Sequence, residues 1–212
     1  MYLSKQQQVQ KNCFEKESKE DYDVKRINRC HKKKIALIAE YLNIKPHEVV
    51  LEVGVGTGVH AKWLLENYAP REVSFVGCDL SPAMIEETRK KLAKFINVKL
   101  FTSPGESLSL ENGSIDKAYI SGSLHHFDNK RRGVEELVRV VKPGGFIAIS
   151  EPNVFNPINL WRGITEYKVE SGVFHTYPKA LKKLFRGLPV QIINQQLFNF
   201  TPPFPEILAS VF

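Results

Sequence analysis

The chain has 212 residues, 42% hydrophobic and 25% charged, which suits one domain with a full core and the composition of an average globular protein. No apolar run approaches the roughly 20 residues of a membrane span, and residues 1–10 lack the apolar stretch of a signal peptide. The three cysteines are widely spaced and form no CxxC pair, so we expect no disulfide framework, no metal site and a cytoplasmic location.

The net charge of +7 is concentrated at the N-terminus, where residues 1–34 carry ten Lys or Arg and five Asp or Glu. Such a segment can contact nucleic acid, anionic lipid or an anionic substrate, or it can be a solvated helix face with mixed charges. The acids interleave with the bases, which favours the solvated face: Glu15, Glu17, Glu20, Asp21 and Asp23.

From residue 35 the sequence alternates helical and strand-like segments. We predict helices at 35–42, 59–65, 82–95 and 130–141, and strands at 49–53, 73–78, 98–101, 115–121 and 146–150. Ser81 and Pro82 are typical of a helix start, and Lys142-Pro143-Gly144-Gly145 of a helix end. This order predicts an α/β doubly wound, Rossmann-like, mostly parallel sheet with helices on both faces and a ligand at the strands' carboxyl edge.

Beyond residue 151 the pattern loosens. We predict a short helix around Leu160, a helix at 177–185 and a long strand at 190–200, after which prolines interrupt the chain. No further strand is readable, and Phe200, Phe204 and Phe212 lack an obvious later partner. Either the C-terminal strands are truncated, which would leave an unpaired sheet edge, or the sheet closes with six strands; the unpartnered phenylalanines favour truncation.

The strand at 49–53 runs into a turn with three alternating glycines, Gly54, Gly56 and Gly58, before a helix begins. Glycines let a ligand approach the backbone closely, and a helix N-terminus attracts a carboxylate. Glu52 lies two residues before the first glycine and could neutralise an ammonium group. A ligand with both groups is an amino acid, such as the methionine half of S-adenosylmethionine.

Asp79 ends the second strand, 21 residues after Gly58. An acid at about this distance can accept both hydroxyls of a ribose, and Leu80 and Met84 could pack on an adenine. Taken singly, Asp79 could be a helix cap and the glycines an ordinary tight turn. Their order and spacing favour a nucleoside-containing cofactor.

Four segments resemble motifs of the class I S-adenosylmethionine-dependent methyltransferase superfamily, especially its small-molecule branch. They are Leu51–Gly58, Cys78–Met84, Ser123–Phe127 and Leu137–Gly145. The resemblance covers residues 35–151 and implies a methyl transfer that leaves S-adenosylhomocysteine. It implies cofactor contacts from Glu52, Val53, Gly54, Gly56, Thr57, Gly58, Asp79, Leu80, Met84, Gly105, Glu106 and Ser121.

The sequence departs from the family at Pro104, where an aspartate commonly accepts a hydrogen bond from the adenine amino group. Proline has neither a side-chain acceptor nor an N–H. Glu106 could substitute, or the Gly105 backbone alone could contact the ring edge.

The candidate catalytic residues are His126 and His125, which follow the fourth strand at the edge where the methyl group should lie. Either could act as a base for the methyl acceptor, since histidine titrates near neutral pH. The alternative is that both are structural loop residues. Glu151 and His175 are further candidates.

The resemblance also implies that residues 1–34 form an N-terminal helical lid and residues 35–212 the cofactor-binding domain, with a substrate cap at 152–178. Tyr22, Asp23 and Arg26 match a lid segment common in the family. Trp161, Arg162 and Tyr167 would line the other wall, unless these side chains simply pack in the core.

The function expected is methyl transfer to a small-molecule or lipid-like metabolite. The alternatives are an RNA or protein methyltransferase, suggested by the basic N-terminus, and a non-catalytic cofactor-binding module, suggested by Pro104. The glycine spacing differs from G-x-G-x-x-G and disfavours a nicotinamide dehydrogenase. The sequence identifies neither the methyl acceptor nor the oligomeric state.

Overall fold

The computed structural model describes residues 3–17, 23, 29–195 and 197. Within the described residues, the helices α1 (Lys5–Glu17) and α2 (Arg29–Leu42) precede the sheet. The alternating core follows as β1 (Val49–Val53), α3 (Val59–Asn67), β2 (Ser74–Asp79), α4 (Pro82–Lys91), β3 (Val98–Thr102), β4 (Ile115–Ser121), α5 (Lys130–Val140) and β5 (Val141–Ser150). The chain continues as α6 (Pro157–Thr165), α7 (Tyr167–Glu170) and α8 (Pro178–Leu184), with 3-10 turns at Leu124–His126 and Ser171–His175.

The five described strands form one sheet in the order β3-β2-β1-β4-β5, and every neighbouring pair is parallel. The order reverses between β1 and β4, because the chain leaves β1 toward β2 and β3 and then returns to the other side. Ligands of open parallel sheets bind at such a switch point, beyond the carboxyl ends of the strands. The predicted doubly wound α/β fold is confirmed.

Apolar side chains cover both faces of the sheet, because successive residues of a strand point to opposite sides. Val50 packs in a cluster with residues of α2, α3 and α4, whereas Leu51 packs with residues of α5 on the other face. Both side chains are fully buried. A strand buried on both faces is characteristic of a parallel sheet with helices on each side.

Three predicted segments differ from the structure. The helix predicted at 130–141 ends at Val140, and Lys142–Gly145 forms a bulge inside β5, where Ile115 pairs with Val141 but Lys117 pairs with Phe146. The helix predicted at 82–95 ends at Lys91. Residues 190–195 are not in a strand, so that part of the prediction is wrong; 196 and 198–200 lie outside the described residues.

Among the helices of the described ranges, none has the length and apolar character needed to cross a membrane.

Candidate active site

A cleft of about 850 Å³, including space open to solvent, lies at the carboxyl edge of the sheet. It brings together turns that follow β1, β2, β3 and β4, together with α1 above them. Most of the residues predicted from the sequence line it: Val53, Gly54, Gly56, Thr57, Asp79, Leu80, Met84, Gly105, Glu106, Ser121 and His126. Glu52, Gly58 and His125 are not among its lining residues.

The turn after β1 is held close to the end of β2 and to the loop after β4. The N–H of Gly54 donates to the carbonyl of Cys78 at 2.8 Å, and Gly54 has a φ of +77°, where a side chain is strained. A Cβ at Gly54 would lie 2.2 Å from the Ser123 hydroxyl oxygen, which itself donates to the Val53 carbonyl at 3.0 Å. Only glycine fits this position.

Asp79 is positioned by the same turn. One carboxylate oxygen accepts the Gly56 N–H at 2.9 Å, and the other accepts the Ser81 N–H at 2.9 Å. A carboxylate that accepts two backbone N–H groups can accept further hydrogen bonds, as bidentate ribose recognition requires. Asp79 therefore joins the glycine turn to the N-terminus of α4.

Replacing Asp79 with alanine is expected to weaken binding of S-adenosylhomocysteine by about 1.5–3 kcal/mol, the range for hydrogen bonds to charged groups. Calorimetric titration measures the Kd. Asp116→Ala is the matched control, because Asp116 also accepts a backbone N–H, from Val49 at 2.8 Å, but does not line the cleft. Equal Kd values for Asp79→Ala and wild type would remove Asp79 from the site.

Glu52 has a different environment from the one expected. Its side chain is fully buried, and one carboxyl oxygen accepts a hydrogen bond from the Tyr119 hydroxyl at 2.8 Å. Burial raises the pKa of Glu52 to about 8, so the carboxyl is mostly protonated at pH 7. His60 lies 3.9 Å from the other carboxyl oxygen and does line the cleft. The Glu52 side chain thus lies in the core behind the glycine turn and does not line the cleft.

The segment after β3 forms the wall expected to meet the adenine. Pro104, Gly105 and Glu106 all line the cleft. Glu106 accepts the N–H groups of Asp128 and Asn129 at 2.9 and 3.5 Å through one carboxyl oxygen, and burial raises its pKa. Glu106 therefore connects this wall to the start of α5.

His126 lies on the wall opposite the glycine turn, in the 3-10 turn after β4. Its Nδ1 is 3.2 Å from the carbonyl oxygen of Val169 in α7, and its side chain lines the cleft. Because a carbonyl only accepts hydrogen bonds, this contact requires a proton on Nδ1, and in the neutral ring the basic nitrogen is then Nε2. That tautomer suits a general base.

His125, by contrast, is held between two carboxylates. Its Nδ1 is 2.6 Å from Glu151 and its Nε2 is 3.3 Å from Glu170, and only 3% of its side chain is exposed. The neighbouring carboxylates outweigh burial and raise the pKa of His125 to about 9, and the pKa of Glu170 falls to about 2. At neutral pH His125 is therefore an imidazolium and not a base, which corrects the catalytic role considered for it.

The histidine pair also meets the distance criterion of a metal site. His125, His126 and Glu170 each offer one ligand atom, and these atoms lie within 4.8 Å of one another. However, both nitrogens of His125 contact carboxylates, and Arg162 bonds Glu170 at 2.8 Å. A network of ion pairs explains all these contacts.

This network predicts a pH-dependent stability. His125 is protonated in both folded and unfolded chains below about pH 6.5, but only in the folded chain between about 6.5 and 9. The free energy of unfolding should fall as the pH rises through that interval, because the contribution of the imidazolium is lost. Denaturant titrations of wild type and His125→Gln at several pH values measure it.

Glu52 changes stability in the same direction, since burial raises its pKa as well. The difference between wild type and His125→Gln therefore isolates the histidine. Parallel pH profiles for the two proteins would show that His125 carries no raised pKa.

Described residues of the N-terminal segment contact the glycine turn and the cleft. The Thr57 hydroxyl donates to Asp23 at 2.6 Å, and Lys91 at the end of α4 pairs with the other oxygen of Asp23. Gln7 and Gln10 of α1 line the cleft. Of the predicted lid residues, Asp23 is thus in contact with the site, whereas Tyr22 and Arg26 lie outside the described residues.

The predicted wall at 152–178 is not realised as expected. Every residue of this range is described, and none lines the cleft. Trp161 and Tyr167 are 67% and 64% exposed, His175 is exposed, and Arg162 bonds Glu170. The segment instead supports the histidines, since Glu170 contacts His125 and Val169 contacts His126.

Some cleft residues are not predicted as site residues from the sequence. Gln7 and Gln10 come from a helix without a strong apolar face, and Phe127, although it ends the motif segment Ser123–Phe127, is not among the residues expected to line the cleft. Phe127 fits because Gly105 has no side chain: a Cβ there would lie 2.2 Å from the Phe127 ring. Such contacts depend on the fold and not on local pattern.

In a comparison with known proteins, the family model described as a methyltransferase domain matches residues 50–145. The chain is 36% identical over 110 residues to a demethylmenaquinone methyltransferase of Corynebacterium kroppenstedtii, and 36% identical over 105 residues to the ubiquinone/menaquinone biosynthesis C-methyltransferase UbiE of Geobacter sp.. The alignments cover 52% and 48% of this chain. They span 44% of each relative, less than half its length.

Solved structures share the fold of this chain. A SAM-dependent methyltransferase from Thermotoga maritima, described as a possible histamine N-methyltransferase, has a TM-score of 0.65 and 22% identity. The similarity covers 84% of this chain and 79% of that one. At this identity the match supports the fold alone.

Proposed function

We propose, from the match of residues 50–145 to the model of a methyltransferase domain, that this chain is a class I S-adenosylmethionine-dependent methyltransferase that transfers a methyl group to a small-molecule or lipid-like metabolite. The observation that carries the proposal is one cleft lined by the glycine turn, Asp79 and His126. The first two suit the cofactor, and His126 suits an acceptor that must lose a proton.

The residues present fit S-adenosylmethionine. Gly54 and Gly56 line the cleft without side chains, so a ligand can approach their backbone, and α3 starts directly after Gly58, so its first N–H groups can meet a carboxylate. Asp79 would hold the ribose, and Leu80 and the buried Met84 would flank the adenine. The bound cofactor supplies a methyl group on a sulfonium, which is already a good leaving group.

The chain's own contribution is alignment and proton removal. In-line displacement needs the acceptor atom held on the axis of the methyl–sulfur bond, which the walls of the cleft would provide. The acceptor atom bonds to the methyl carbon as the carbon–sulfur bond breaks, its electron pair passing to sulfur. His126 Nε2 takes the proton that the acceptor loses, while Nδ1 stays bonded to Val169.

We propose that residues 1–34 act as the lid of this cleft and that the domain extends over 35–212. Contacts of Asp23 with Thr57 and of Gln7 and Gln10 with the cleft support the lid. In this proposal residues 152–178 support the histidines from behind and do not themselves form a wall of the substrate site. The cytoplasmic location stays a prediction from the cysteine content.

The names of the relatives suggest which acceptors to test first. They include demethylmenaquinone and quinone C-methyltransferases, so a hydroquinone is the reasonable first acceptor. Each relative extends well beyond the part that aligns with this chain, and the acceptor is therefore part of the proposal.

The test has two stages. Calorimetric titration with S-adenosylmethionine and S-adenosylhomocysteine, with NADH as control, should show saturable binding of the two sulfur compounds only. Transfer of a labelled methyl group to naphthohydroquinone under reducing conditions should then follow. Cofactor binding without transfer to any acceptor of a broad panel would favour the non-catalytic module, and binding of NADH alone would contradict the proposal.

A further inference from the structure

The lid helix α1 buries an amide where an apolar residue would be expected. Gln10 is 2% exposed and lines the cleft, whereas its neighbour Val9 is 40% exposed. Packing for stability alone would favour the opposite orientation, since burying apolar surface stabilises and burying an amide costs free energy unless it is bonded. The orientation of α1 therefore brings a polar group into the cleft.

The Nε2 of Gln10 is buried and has no hydrogen-bond partner among the described residues. On the sheet side of the same cleft, the hydroxyl of Ser121, a residue 6% exposed at the end of β4, is likewise buried without a partner in the described chain. Buried donors and acceptors are almost always bonded, and leaving one unsatisfied is unfavourable. Two such groups lining one cleft indicate bound ligands with polar atoms at both places, and Ser121 is among the residues expected to meet the cofactor, which leaves the Gln10 donor to be assigned.

Gln10 lies in the middle of a helix that contacts both sides of the site. α1 packs against α4, which follows the cofactor residues, and against α7, whose Val169 holds His126. The groups expected to bind the cofactor already belong to the sheet edge: the glycine turn, Asp79 and the wall at 104–106. The side-chain N–H of Gln10, on the lid helix α1, is therefore placed to meet the second ligand, the methyl acceptor.

Resting on the proposed function, we infer that Gln10 is a specificity-determining residue whose amide N–H donates a hydrogen bond to an oxygen of the methyl acceptor. With His126 as a proton acceptor in the same cleft, the site selects an acceptor bearing hydroxyl or keto oxygens. A hydroquinone or other hydroxylated aromatic ring has this chemistry, and an acceptor without oxygen does not.

The test uses Gln10→Met, which keeps the length and helix preference of the side chain but removes the N–H donor. Gln8→Met is the matched control, because Gln8 is exposed on the same helix and the hydrogen bond of its side chain in the described chain is to Asn12. The affinity of naphthohydroquinone for protein saturated with S-adenosylhomocysteine is measured by calorimetry under reducing conditions. Gln10→Met should weaken it about ten-fold, the effect of one lost hydrogen bond.

Steady-state kinetics gives a second readout, with KM for naphthohydroquinone expected to rise about ten-fold in Gln10→Met while kcat changes by less than about three-fold. The Kd of S-adenosylhomocysteine should stay unchanged. If Gln10→Met weakens cofactor binding instead, or changes neither affinity, Gln10 does not recognise the acceptor. Wild type that binds S-adenosylhomocysteine but not naphthohydroquinone overturns the acceptor class alone; binding of neither overturns the proposed function as well.

Discussion

Replacing His126 with alanine should lower kcat for methyl transfer by about 10²- to 10⁴-fold, the usual contribution of a positioned general base. The reason is geometric: Val169 fixes the proton on Nδ1, so Nε2 is the atom that can remove a proton from an acceptor in the cleft. Single-turnover kinetics with naphthohydroquinone measures the loss. The affinity for S-adenosylhomocysteine should remain that of wild type.

His175→Ala is the control for this experiment. His175 belongs to the same supporting segment but is exposed and does not line the cleft. The pH profile of kcat gives an independent criterion, because the acidic limb set by a histidine should disappear in His126→Ala. A variant with kcat close to wild type would make His126 a structural residue, the alternative raised from the sequence.

Replacing Glu151 with alanine should lower the free energy of unfolding by about 3–5 kcal/mol, the cost of removing one partner from a buried ion pair. Glu151 accepts three hydrogen bonds: from the N–H of Leu124 at 2.9 Å, the N–H of His125 at 3.0 Å and Nδ1 of His125 at 2.6 Å. Its side chain is 1% exposed, so water cannot replace it. Denaturant unfolding at pH 7 measures the loss.

The matched control is Glu166→Ala. Glu166 also pairs with a cation, Arg162 at 3.2 Å, but its side chain is 51% exposed. Exposed pairs contribute little, so this variant should stay within about 1 kcal/mol of wild type. Similar losses in the two variants would contradict the view that His125 carries a buried charge.

Together these predictions separate the two adjacent histidines. His126 is expected to matter for transfer and His125 for the position of the turn that carries it. Gly172 shows how closely that turn packs, since a Cβ there would lie 1.7 Å from the carbonyl oxygen of His125. The segment after β5 therefore acts on the site by fixing the turn at 124–126.

The sequence by itself determined the order of the sheet elements, the glycine turn and Asp79. These features depend on neighbours in the chain: strand length and composition, turn glycines and a helix cap at Ser81, whose hydroxyl accepts the Met84 N–H at 3.4 Å. Since parallel strands place their carboxyl ends at one edge, local pattern was also enough to place the cleft.

The tertiary structure alone decided which side chains face that cleft. Glu52 and Val53 are neighbours on β1, yet Val53 lines the cleft and Glu52 is buried beside Tyr119, because alternate residues of a strand point to opposite faces and both faces are covered. His125 becomes a cation only because Glu151 and Glu170, 26 and 45 residues away in sequence, converge on it. Gln10 is a site residue only because α1 packs with that face inward, which no local pattern specifies.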